Sequence, residues 1–162
     1  MNNDIRKLID DNWEDIKEFI VKKAEAEQKP KTIWDLKVEK GEECYCLQAT
    51  GTIIQYPFDR SYEDMITDAR DLGNAFLTWK EAKFERERRK IEAIMRKYSR
   101  PFKLNEGNYV IKHNVTFKMV EIGLFGTTDY GIPYFESEET AQKVIDEIGE
   151  GELKKYWFGV TE

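Results

Sequence analysis

The chain has 162 residues, enough for one well-packed domain or two small ones and no more. Apolar residues make up 40% and aromatic residues 13%, which excludes a disordered tail, and no apolar run approaches the ~18–20 residues a membrane helix needs. With 26 Lys+Arg against 32 Asp+Glu, the net charge of −6 excludes a general coat on nucleic acid. Met-Asn-Asn-Asp4 lacks the basic-then-apolar pattern of a secretory leader, and two cysteines make no disulfide framework. These features lead to the expectation of a cytoplasmic protein in a reducing compartment, with no membrane partner.

Residues 1–30 read as one amphipathic helix, with Ile5, Leu8, Ile9, Trp13, Ile16, Phe19 and Ile20 at spacings of three and four. Asp4 complements its start and Pro30 stops it. A helix of ~25 residues would be about 37 Å long. It is expected to pack on its own domain, the alternative being to project and pair with a partner. Glu43–Ala49 and Thr52–Phe58 read as strands around a turn at Thr50-Gly51, with Pro57 at a strand end. Asp59 to Asp71 is polar and turn-like. Thr78-Trp-Lys-Glu81 fits a capping box for a helix with Phe84, Ile91, Ile94, Met95 and Tyr98 on its apolar stripe, ended by Ser99-Arg100-Pro101. Tyr109–His113 and Val115–Ile122 read as strands. A third helix follows Ser137, with Ala141, Val144, Ile145 and Ile148 inward and Gly149 as its cap. A short helical turn from Glu152 ends in Trp157 and Phe158, expected in the core.

An internal repeat organises this pattern. Phe76, Thr78 and Ala82 recur as Phe135, Ser137 and Ala141 at a common offset of 59 residues, each set preceded by hairpin-like strands. Phe packs from the last strand under the helix, Ser or Thr caps the first turn, and Ala lets the helix approach the sheet. The expected fold is α+β: an N-terminal helix (1–30) and two repeated hairpin-plus-helix units, 31–100 and 101–162, packed as one body.

Gly73-Asn-x-Phe-x-Thr-x-x-Glu-Ala82, the basic helix after it, Pro133-Tyr-Phe-x-Ser-x-Glu-x-x-Ala141 and the ending Leu153-Lys-Lys-Tyr-Trp-Phe-Gly-Val160 carry a resemblance. Over residues 41–160 the chain resembles a family of small proteins encoded in phages and prophages of Gram-positive bacteria. The resemblance implies a phage setting inside a bacterial host cell rather than a mechanism. The hairpin-plus-helix unit also looks like the ethylene-response-factor type of DNA-binding domain and the arm-binding domains of phage integrases. Those read the groove through basic residues on the sheet. Here residues 42–58 carry Glu42 and Glu43 and no Arg or Lys, and the second copy sets Glu121 beside Lys112 and Lys118. The likeness therefore implies fold kinship without inherited DNA reading.

No catalytic constellation emerges. Cys44 and Cys46 share a strand face, and His113 is the sole histidine, so a zinc site lacks ligands and buried thiols are the expectation. No glycine loop after a strand cradles phosphate, and no cofactor or metal is expected. Charge is uneven, however. Residues 71–100 hold nine cations against five acids, and residues 129–162 three against nine. The basic run gives the binding candidates Lys83, Arg86, Arg88, Arg89, Lys90 and Arg96, with Glu81, Glu85, Glu87 and Glu92 at ion-pair spacing. The acidic segment gives Glu138, Glu139, Asp146 and Glu147. The expectation is a non-enzymatic, phage-encoded accessory protein that binds a host or phage protein or nucleoprotein complex, with an anti-CRISPR-type inhibitor of bacterial defence as an instance. The alternatives are nucleic-acid binding through the basic helix 80–100, and small-ligand or nucleotide binding. Oligomers would form through the N-terminal helix.

Overall fold

In the computed structural model, residue 9 and residues 12–27 and 32–160 are described. The described part of the N-terminal helix is α1, Trp13–Glu27. The expectations placed on Asp4, Ile5, Leu8 and Pro30 lie outside the described residues. The chain divides into two compact units: residues 1–44 with 55–77, and residues 45–54 with 78–162.

In the first unit, α1 does not pack as expected. Trp13, Phe19, Ile20 and Val21 stand exposed, and of its described side chains only Ile16 is half-buried. The hairpin strands β1 (Glu43–Leu47) and β2 (Ile53–Pro57), whose residues 45–54 are grouped with the second unit, and the short β3 (Ala75–Phe76) follow the strand order β2-β1-β3. Gly51, at φ 84°, makes the turn that joins the hairpin. Cys44 and Cys46 alternate with Glu43 and Tyr45 and are buried, as two side chains on the inner face of a strand should be.

The stretch expected to be turn-like holds a helix instead, α2, Glu63–Asp71. Glu63 and Asp64 complement its positive start and Arg70 its negative end. Ile66 is its buried anchor. Gly73, at φ 69°, turns the chain out, with Asn74 N–H reaching back to the Ala69 carbonyl at 2.6 Å.

The second unit carries the main core. Helix α3, Trp79–Tyr98, starts on the expected capping box: Thr78 Oγ1 accepts from Glu81 N–H at 3.2 Å, and the Glu81 carboxylate accepts from Thr78 N–H at 2.9 Å. Strands β4 (Tyr109–Asn114) and β5 (Met119–Leu124) pair antiparallel with Ile111 opposite Ile122 and His113 opposite Val120. The expected strand start at Val115 is a turn. Asn114 Oδ1 accepts from Thr116 and Phe117 N–H at 3.1 and 3.2 Å, and Lys118 takes φ 53°, so pairing resumes only at Met119.

Phe135 bridges Tyr109 through both backbone bonds, at 3.1 and 2.8 Å. The order β5-β4-Phe135 thereby reproduces β2-β1-β3, and the sequence repeat is a repeat of strand order. Helix α4, Glu138–Ile148, is capped by Ser137 and ended by Gly149 at φ 91°. A turn at Glu150–Glu152 runs into a π-helical turn, Leu153–Trp157. Ile91, Met95, Ile111, Val120, Phe135, Val144, Leu153 and Tyr156 form the core, with Trp157 and Phe158 half-buried against it. Ala82 and Ala141 are fully buried at matching positions of the repeat. Units and repeat do not coincide: the boundary drawn at residue 100 falls before Thr78, because α3 packs on α4 and the C-terminal turn.

Candidate functional site

Two charged helix faces of the second unit hold the residues singled out from sequence. On α3, i,i+3 and i,i+4 spacing sets each cation one turn from a carboxylate. Arg88 forks onto Glu85, with Nε and Nη2 at 2.7 and 2.8 Å, and a third N–H reaches Glu92 at 3.3 Å. Arg89 Nε donates to the same Glu85 at 2.8 Å. Glu87 accepts from Arg86 at 2.9 Å and Lys90 at 2.8 Å, and Arg96 pairs with Glu92. Lys83 lies over the Trp79 ring, 5.0 Å from its centre.

Partial burial works against the charge on Glu85, but the hydrogen bonds from Arg88 and Arg89 outweigh it and hold its carboxyl below the usual range. On Glu87 the Lys90 ammonium is the leading cause of a shift in the same direction. The basic run is thus a ladder closed on itself, and its guanidinium forks already hold carboxylates of their own helix.

The acidic face differs. Glu138, Gln142 and Asp146 recur every four residues on α4, and Glu139 lies beside them. These side chains are exposed, opposite the inward Ala141 and Val144. Asp146 accepts from Gln142 Nε2 at 2.9 Å. The Glu139 carboxyl is held below the usual range by its own backbone N–H and the Ser137 hydroxyl. Among the described residues, Glu136, Glu138, Glu139 and Asp146 enter no ion pair. Glu147, named with them from sequence, does another job. It accepts from the Tyr98 hydroxyl at 2.6 Å and from Lys97 at 3.2 Å, tying α4 to α3. The Tyr98 bond, then Lys97, keeps its carboxyl below the usual range.

The chain matches no protein-family model, no curated protein and no solved structure.

Other chemistry is sparse. Among the described residues no three His, Cys, Asp or Glu side chains gather as a metal site, and no helix is long and apolar enough to cross a membrane. His113 packs near Phe158, ring centres 5.9 Å apart, and its buried Nε2 has no hydrogen-bond partner among the described residues. The sequence reading missed two polar anchors. Asn108, nearly fully buried, binds the 100–108 loop through Lys103, Glu106 and Arg100. Glu150 accepts from the Val120 N–H of β5 at 3.1 Å while pairing with Lys154 at 2.7 Å. No local signal marks either one, since their partners come from loop closure or from 30 residues away.

Proposed function

We propose that this is a non-enzymatic accessory protein that docks the acidic face of α4 on a basic surface of a host or phage macromolecule, as a nucleic-acid mimic would. The observation that carries the reading is the asymmetry of pairing. Arg86, Arg88, Arg89, Lys90 and Arg96 of α3 are paired with Glu85, Glu87 and Glu92, whereas among the described residues Glu138, Glu139 and Asp146 face outward without a salt bridge, Lys143 acting on Glu139 only through its field. An unpaired acidic face on a chain of net charge −6 favours steered encounter with a cationic partner. The resemblance to phage-encoded small proteins gives this a setting, and inhibition of bacterial defence, as by an anti-CRISPR-type protein, is its most concrete form.

The competing reading, nucleic acid on α3, is disfavoured because phosphate would have to displace carboxylates already placed on Arg86, Arg88 and Arg89. Electrophoretic mobility shift at low salt separates the two. The wild-type chain is expected to leave DNA and RNA unshifted. A shift abolished by Arg86→Ala, Arg88→Ala and Arg89→Ala together would move the site to α3.

A further inference from the structure

The outer edge of β5 is an open row of backbone groups. Phe125 N–H donates to the Asn108 carbonyl at 2.8 Å, continuing the register that sets Gly123 opposite Val110 and Glu121 opposite Lys112. Odd-numbered residues of β5 therefore bond to β4. Val120, Ile122 and Leu124 turn their N–H and carbonyl groups the other way. Among the described residues, the Val120 N–H alone is engaged there, by the Glu150 carboxylate at 3.1 Å, and no strand lies beyond β5. Leu124, on the face where Val120 is buried, is itself 69% exposed.

Side chains along this edge say what pairs with it. Lys112, Lys118 and Glu121 are the charged residues of the hairpin 109–124, and Lys118 stands in its turn. Lys112 pairs with Glu121 at 3.0 Å while its stem lies along Gly123, Cε 2.8 Å from where a β-carbon would stand. We propose that β5 pairs antiparallel with β5 of a second copy of this chain, about a two-fold axis at Ile122. That register sets Ile122 against Ile122 and Val120 against Leu124 of the second copy, so apolar side chains meet on the core face. On the other face Glu121 stands opposite Gly123 of the second copy, at the ~4.5 Å of a non-hydrogen-bonded pair. Gly123 has no side chain to fill that space. The Lys112 ammonium lying over it therefore meets Glu121 of the second copy. An axis at Gly123 would instead bring the two Lys112 stems together, and a strand without an acid at that place gains nothing from Lys112. The Val120 N–H can reach the Leu124 carbonyl of the second copy only when Glu150 releases it, so Glu150 competes with pairing. None of Glu138, Glu139 and Asp146 takes part, so the dimer and the docking reading stand or fall independently.

Strands this short bury less than a standard interface, so sedimentation equilibrium on the full chain should run from about 5 to about 500 μM. The wild type is expected to shift reversibly toward twice the chain mass. Leu124→Pro removes an N–H that β4 does not use, and should give a monomer with unchanged circular dichroism. Glu150→Ala frees the Val120 N–H and should tighten pairing several-fold. Lys112→Glu and Glu121→Lys should each weaken pairing, and their equimolar mixture should restore it, because opposite charges then meet across the axis. In a mixed isotope-labelled sample, an intermolecular nuclear Overhauser effect should join Glu121 Hα to Gly123 Hα. A wild type still monomeric at about 500 μM overturns the proposal. So does a dimer that survives Leu124→Pro, that Glu150→Ala leaves no tighter, or that lacks the Glu121–Gly123 signal. A monomer whose Ile122 and Leu124 amides are protected from exchange only by an added alternating Val-Thr peptide would assign the edge to foreign strands and overturn it equally.

Discussion

At Asn108 the side-chain oxygen accepts from Lys103 N–H and Arg100, and the side-chain nitrogen donates to the carbonyls of Lys103 and Glu106. Truncation to Ala leaves these groups unmatched in a buried site, so Asn108→Ala is expected to cost roughly 2–3 kcal/mol by urea denaturation. A change near zero would show that the loop rearranges freely. The two buried alanines of the repeat make a matched test. Ala82→Leu and Ala141→Leu each force a branched side chain into fully packed space, with an expected loss of about 1–3 kcal/mol apiece. Loss at one position alone would mean that the repeat is a repeat of sequence and not of packing.

Elements show which signals are local. The capping box of α3 and the cap of α4 were legible because Thr78-x-x-Glu81 and Ser137 act within one turn. The ion-pair ladder of α3 was legible for the same reason. Helix α2 was not, since a single buried residue, Ile66, gives no periodicity among its acids. Nor was the turn at 115–118, where β-branched and aromatic residues read as strand while the Asn114 side chain bends the backbone.

The ladder also fixes a pH dependence. Because the folded pKa of Glu85 is lowered, its stabilising effect is complete above the ordinary glutamate range, about 4.3, and is lost as pH falls through the lower folded value. Glu87, Glu121, Glu147 and Glu150 shift the same way and add to it. Stability measured by urea should therefore fall from pH 5 toward about pH 3. The Glu85→Gln variant should fall less steeply and start about 0.5–1 kcal/mol lower at neutral pH. An identical slope in both chains would remove Glu85 from the ladder.

For the whole molecule, the net charge of −6 is a sum of unlike parts. Its basic region is spent on internal pairing and its C-terminal acids are largely not. The pairing of the basic region is local to α3, but one part of the division depends on long-range packing that sequence spacing does not carry. The Tyr98–Glu147 link joins residues 49 apart and withdraws one carboxylate from the acidic face, leaving Glu138, Glu139 and Asp146. Grouping α3 with the C-terminal elements was hidden for the same reason, because helix periodicity says which face is buried but not against what. The most direct test of the docking account is affinity capture from bacterial lysate, with wild type and the Glu138→Lys/Glu139→Lys/Asp146→Lys variant run side by side. A stoichiometric protein partner held by the wild type and lost by the variant, with folding unchanged, is the expected result. A partner held equally by both, or none from any lysate, would contradict it.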